Sequence, residues 1–292
     1  VRSDSASTET IGDFESVLES QPSRIFFVDD SVFTFNPDTN AVFSMTLEGE
    51  VSAATDTTQG IGFTADGTVH NTDKTIVLTT DQPGIALFDT KDSSLQSQEI
   101  DFPSSKPAIV DVNVFGNRLY VADTAAGNIF TYNKTLRGYS AGSPWIESQD
   151  FPVSTIQSLA IDGNIYTLHS DGTIRKLFKG APTDFSQETV SPTISNGSYL
   201  LTSDEYTNLY VIDPANKRIV IYDKNGILLR QVIVDVAQEF ADATVSPAED
   251  KAYQGSITAP TIDAPGPSVP TRYTCATPCA RPDTPPTPTR IP

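Results

Sequence analysis

The chain has 292 residues, enough for one large domain or two small ones, and its 37 acidic against 19 basic residues give a net charge of −18. Such a charge repels nucleic acid and anionic membrane surfaces, so neither is an expected partner. Two His and two Cys are poor material for a histidine-built zinc or iron centre, and cannot make a disulfide-rich scaffold.

The first residue is Val1, so a processed or partial chain is expected, with any signal peptide or anchor already removed. No run of 18 apolar residues exists that would span a bilayer. Residues 1–21 read as a flexible lead-in rich in Ser, Thr and Glu, with Ile11–Glu19 able to form a helical turn or two. From Pro22 onward the vocabulary changes. Short β-branched and aromatic runs alternate with Gly, Asn, Asp and Pro turns, as in Arg24–Val28, Thr75–Thr79, Arg118–Ala122, Asn164–Leu168 and Asn208–Ile212.

These runs repeat. Their openings at Ile25, Ile76, Leu119, Ile165 and Leu209 lie 51, 43, 46 and 44 residues apart. Each leads into the same phrase of strand, polar turn and second strand: IFFVDDSVFTFN, IVLTTDQPGIALFD, LYVADTAAGNIFTYN, IYTLHSDGTIRKLF and LYVIDPANKRIVIYD. Further strands precede the openings, at Ile109–Phe115, Ile156–Ile161 and Ala243–Ser246, and Ile227–Val234 follows the fifth copy. A sixth, shortened copy is expected at Lys251–Tyr253. A period of 40–50 residues with three or four strands per unit is the mark of a β-propeller, because one sheet cannot cover both its faces and a ring of sheets covers them all. The expectation is an all-β, six-bladed propeller over residues 22–257 with an incomplete last blade.

Ten of the 21 prolines crowd into residues 260–292. Proline donates no ladder hydrogen bond, and the segment's large apolar residues are Ile262, Val269, Tyr273 and Ile291. Residues 258–292 are therefore expected to form an extended, polyproline-rich tail. Cys275 and Cys279 lie within it as a C-x3-C pair, suited to a local disulfide in an oxidising compartment.

The phrases LYVADTAAGNIFTYN, DGNIYTLHSDGTIRKL and NLYVIDPANKRIVIYDKNGILL resemble bacterial NHL-type six-bladed propellers, over about Pro22 to Ile257. More narrowly, the body is similar to propeller regions that follow a metal-dependent serine/threonine phosphatase-like domain in bacterial membrane proteins. The family's pattern would add another Gly/Asn-Ile strand to the sixth blade, which is missing after Gly255. The resemblance implies an exported or cell-surface sensor, and no phosphatase motif occurs in this chain.

Candidate chemistry is sparse. No GxSxG elbow, HExxH or P-loop occurs. Asp123 and Asp213 end equivalent strands and are expected to cap turns, and His169 takes their place in the fourth copy. His70 reads as a loop residue in GTVHNTDK. Trp145 is expected to anchor neighbouring blades or to stack in a pocket. Asp111, Asn113 and Asp242, on first strands or their starts, are the candidate oxygen ligands for a channel calcium ion. The expected function is recognition, by a monomer, of a protein, peptide or glycan through blade loops, with acidic charge favouring a basic partner or a divalent cation. The alternative is a calcium-dependent lactonase- or esterase-like hydrolase working in the channel.

Overall fold

The structure, a computed structural model, describes residues 3–6, 24–36, 41–46, 50–54, 63–70, 73–80, 84–136, 138–234 and 244. Strand β1 (Ser3–Ala6) stands apart in sequence from a first antiparallel sheet of β2 (Arg24–Val28), β3 (Ser31–Asn36), β4 (Ala41–Thr46) and β5 (Val51–Ala53). The second sheet runs β6 (Phe63–His70), β7 (Thr75–Thr80), β8 (Gly84–Asp89) and β9 (Leu95–Glu99). The third is β10 (Ile109–Phe115), β11 (Arg118–Asp123) and β12 (Asn128–Thr135), with the two-residue strands β13 (Gly138–Tyr139) and β14 (Ser143–Pro144) both paired to β12. The fourth is β15 (Ile156–Ile161), β16 (Ile165–His169), β17 (Ile174–Phe178) and β18 (Ala181–Thr183). The fifth is β19 (Tyr199–Leu201), β20 (Leu209–Asp213), β21 (Arg218–Tyr222) and β22 (Leu228–Val234), and β1 extends it in parallel, Ser3 opposite Gln231.

The middle strands read as unbroken apolar runs because both their faces are covered. Every residue of β16, β20 and β21 is buried. Covering comes from the neighbouring blade. Phe26, Phe35 and Val42 of the first blade pack with Ile76, Leu78 and Phe88 of the second. Val77 and Ile85 of the second meet Leu119, Val121 and Phe130 of the third. Tyr120 and Ile129 of the third meet Leu159, Ile161 and Leu177 of the fourth. Tyr166 and Leu168 of the fourth meet Val211, Val220 and Tyr222 of the fifth. The fifth and first blades carry separate apolar clusters on their remaining faces, and their innermost strands meet where the Arg24 guanidinium lies 4.3 Å from the centre of the Tyr199 ring.

The described residues thus form five blades, not the six expected. The sixth came from extending the period to residues 251–253, which lie outside the described residues, as do Ala243 and the tail 258–292. The first copy was also out of phase. Ile25 lies on the innermost strand of its blade, whereas the other four openings lie on second strands. Counted on second strands alone, the starts Ser31, Thr75, Arg118, Ile165 and Leu209 are spaced 44, 43, 47 and 44 residues, so the anomalous 51 disappears. A tight hairpin hides the difference: Asp29 and Asp30, at φ 46° and 61°, make a two-residue turn with both central residues left-handed, which matches the twist of the flanking strands.

Turn chemistry differs between equivalent positions. Asp123 caps its turn as expected, its Oδ1 accepting from the backbone N–H of Ala125 and Ala126 at 3.0 and 3.1 Å. Asp213 does something else. Fully buried with Arg218, it accepts from the guanidinium at 2.8 Å, from Asn216 at 2.9 Å and from Ser195. Arg218 also donates to Gln231 Oε1 at 2.6 Å and to the carbonyl of Pro192 at 2.6 Å, tying β21 to β22 and to the segment before β19. Burial by itself would raise the Asp213 pKa, but the hydrogen bonds from Ser195, Asn216 and Arg218 outweigh it and hold the carboxyl below its usual range. Breaking one partner of a buried pair leaves an uncompensated charge. Asp213→Ala is therefore expected to cost about 3–5 kcal/mol in urea unfolding, and a loss under about 1 kcal/mol would contradict the assignment.

Candidate functional site

The five innermost strands surround a central cavity of about 240 Å³, lined among others by Arg24, His70, Asp111, Asn113 and Tyr199. Its inner wall is stitched by side chains rather than by a sheet ladder. Asp111 on β10 is buried, and its Oδ2 accepts from Ser158 Oγ at 2.7 Å and from the Leu159 backbone N–H at 2.6 Å, both on β15. Ser158 Oγ in turn accepts from the Leu200 N–H of β19 at 3.0 Å. One carboxylate and one hydroxyl thus join the third, fourth and fifth blades where no backbone ladder does.

His70 is not a loop residue. It ends β6, is buried, and faces the same cavity. Its Nε2–H donates to the Gly116 carbonyl at 2.9 Å, across to the turn between β10 and β11. That leaves Nδ1 to accept from the Asp73 N–H at 3.2 Å, so both ring nitrogens are engaged.

The expected calcium ligands fare unequally. Asp111 and Asn113 both line the cavity, two residues apart on one strand and so on one face of it. Asp242 lies outside the described residues. Calcium takes six to eight oxygens, and Asp111 Oδ2 is already doubly hydrogen-bonded. Among the described residues no group of three or more His, Cys, Asp or Glu could hold a metal ion. Cys275 and Cys279 also lie outside the described residues.

Two residues singled out in the sequence sit away from the cavity. His169 ends β16 and is 1% exposed. His169 Nδ1 hydrogen-bonds with Thr155 Oγ1 at 2.7 Å and Nε2 with Thr167 Oγ1 at 3.0 Å, and the two hydroxyls also reach the Pro152 and Arg175 carbonyls. Burial, helped by Arg175, pushes the imidazole pKa down to about 4. Trp145 is half-buried between the third and fourth blades, edge-on to Tyr120 with ring centres 6.2 Å apart. Its anchoring role is as expected. Nothing in the sequence pointed to Arg24, Tyr199 or Ser158, whose importance comes from closing the ring.

No family model matches the chain, and no curated protein does. Likeness appears at the level of fold. The propeller of a nidogen/laminin complex matches at 14% identity with a TM-score of 0.53, covering 73% of this chain and 80% of that one. A gluconolactonase from Xanthomonas campestris matches at 13% identity and a TM-score of 0.52, covering 75% and 76%. A virginiamycin B lyase from Staphylococcus aureus matches at 14% identity and 0.48, covering 74% and 71%. The first two similarities show an all-β propeller. Among the described residues no helix is long and apolar enough to cross a membrane.

Two outcomes follow. Asp111→Ala leaves Ser158 and the Leu159 amide without their acceptor, at about 1–3 kcal/mol per buried group, and should lower the melting temperature by several degrees even in EDTA. A melting point unchanged in EDTA would contradict the structural role. For His169 the folded pKa lies below the unfolded one, so its contribution is complete above pH 6.5 and is lost as pH falls toward 4. Between pH 8 and pH 5 this amounts to about 2 kcal/mol, and His169→Gln should flatten that part of the stability profile. An equally steep profile in the variant would refute it.

Proposed function

We propose that the chain is a non-enzymatic recognition propeller. It binds a protein, peptide or glycan through its blade-connecting loops, as an NHL-like sensor module at the cell surface, similar to the propeller regions attached to phosphatase-like membrane proteins. One observation carries the reading. Two of the acid and base groups lining the cavity are spent on holding the ring together: Asp111 bridges to Ser158 and Leu159, and both nitrogens of His70 are bonded to the backbone, while Asp204, also on the lining, is exposed. A general base needs an unengaged acceptor within reach of its substrate, and a channel hydrolase needs a metal with open positions. The neighbouring folds include both kinds of protein, a nidogen/laminin complex and a gluconolactonase. A cell-surface setting accords with the absence of Cys from the repetitive body.

The competing calcium-dependent hydrolase makes a different prediction. A cation bound only by the folded chain must raise its melting temperature with concentration. The recognition reading expects no shift on adding calcium to about 5 mM and no gluconolactone hydrolysis above the buffer rate. A saturable shift together with lactone turnover would overturn it.

A further inference from the structure

Another cavity, of about 580 Å³, lies between the third and fourth blades and shares Phe115, Gly116 and Ile161 with the lining of the channel. Its composition inverts that of the chain. The protein carries 37 acidic and 19 basic residues, yet the 13 residues lining this groove include Arg118, Lys134 and Lys179 and no carboxylate. Lys134 is neutralised by Asp73 at 2.5 Å. Arg118 is exposed and donates to Asn133 Oδ1 at 3.0 Å, and Lys179 is exposed with its ammonium 5.2 Å from the Phe178 ring centre. Among the described residues neither of these two has a carboxylate partner. The same lining holds aromatic rings: Trp145 half-buried, Phe115 half-buried, and Phe178 50% exposed. Phe178 ends β17, beside the turn to β18.

We propose that this groove binds an acidic peptide segment carrying an apolar or aromatic side chain. The aromatic walls would take the apolar side chain, and Arg118 and Lys179 would take carboxylates on either side of it. The net charge of −18 decides between an acidic peptide and a polyanionic glycan. A polymer charged along its length would run from two cations onto a repelling surface, whereas a short segment brings only the charges the groove can meet. The inference rests on the recognition reading and names its partner's chemistry, which is opposite to the basic partner that net charge alone suggests.

The sole tryptophan of the chain lies in the groove, so its emission reports occupancy directly. The full chain would be titrated with acetyl-Gly-Glu-Phe-Glu-Gly-amide, with its Lys-for-Glu counterpart, and with a tri-galacturonate, each to about 1 mM. The expected result is a saturable change in Trp145 emission with the acidic peptide alone. Arg118→Gln combined with Lys179→Gln should weaken it about tenfold, while Lys106→Gln on another loop leaves it unchanged. Circular dichroism would confirm that the double variant is folded. No saturable change, an equal response to the lysine peptide, a response only to the galacturonate, or full affinity in the folded double variant would each overturn the proposal. Failure here, with calcium and lactone still without effect, would remove this site and leave the recognition reading standing.

Discussion

A β-sheet whose middle strands are apolar on both faces cannot exist alone in water, and every blade of this protein is such a sheet. Val211 and Ile212, adjacent on one strand, point to opposite faces, and both are completely buried. Each blade therefore depends on the blade before it and the blade after it. This accounts for the four continuous apolar seams, and for the large aromatic residues Phe35, Phe88, Tyr132, Tyr166 and Tyr222 that fill them at zero exposure. It also sets a problem at the ring's centre, where the innermost strands of successive blades splay and make no ladder with one another.

Side chains solve that problem. The Asp111 carboxylate and Ser158 hydroxyl carry the third, fourth and fifth blades, His70 reaches the Gly116 carbonyl from the second to the third, and Arg24 lies over Tyr199 between the first and the fifth. Polar residues in a channel invite a catalytic interpretation, and an Asp, a His and an Asn around one cavity look like the parts of a hydrolase. The hydrogen bonds of the Asp and the His run instead to neighbouring strands and turns. Buried polar groups must be satisfied, and those that are satisfied by neighbouring blades serve the ring first. The proposed recognition role therefore looks outward, to the turns and inter-blade grooves, where Phe178, Arg118 and Lys179 are exposed.

Much of this was legible in the sequence. The strands Ile109–Phe115 and Ile156–Ile161 fall where the repeat puts them, and Arg24–Val28 is a strand to the residue. The phase of the first copy was not legible, because IFFVDDSVFTFN reads alike as first and second strands or as second and third. Asp123 and Asp213 occupy one position in the repeat, and only the fold shows that one caps a turn while the other pairs with a fully buried arginine. His70 looked like loop because Asn71, Thr72 and Asp73 follow it; its burial comes from Gly116, 46 residues away. Asp111 was singled out as a ligand for its place on an innermost strand. The place was right, and the hydrogen-bond partners 47 and 48 residues on could not be read from spacing.

The central claim is that side-chain hydrogen bonds, rather than a backbone ladder, hold the innermost strands in a ring. Site-resolved amide hydrogen exchange on the metal-free chain tests it most directly, since the Leu159 and Leu200 N–H groups donate to Asp111 Oδ2 and Ser158 Oγ. The account predicts that both amides are as protected as those of Val121 and Val211 on second strands, and that Asp111→Ala strips protection from Leu159 while Val211 keeps its own. Exchange of Leu159 and Leu200 at the rate of exposed loop amides in the unaltered protein would contradict it.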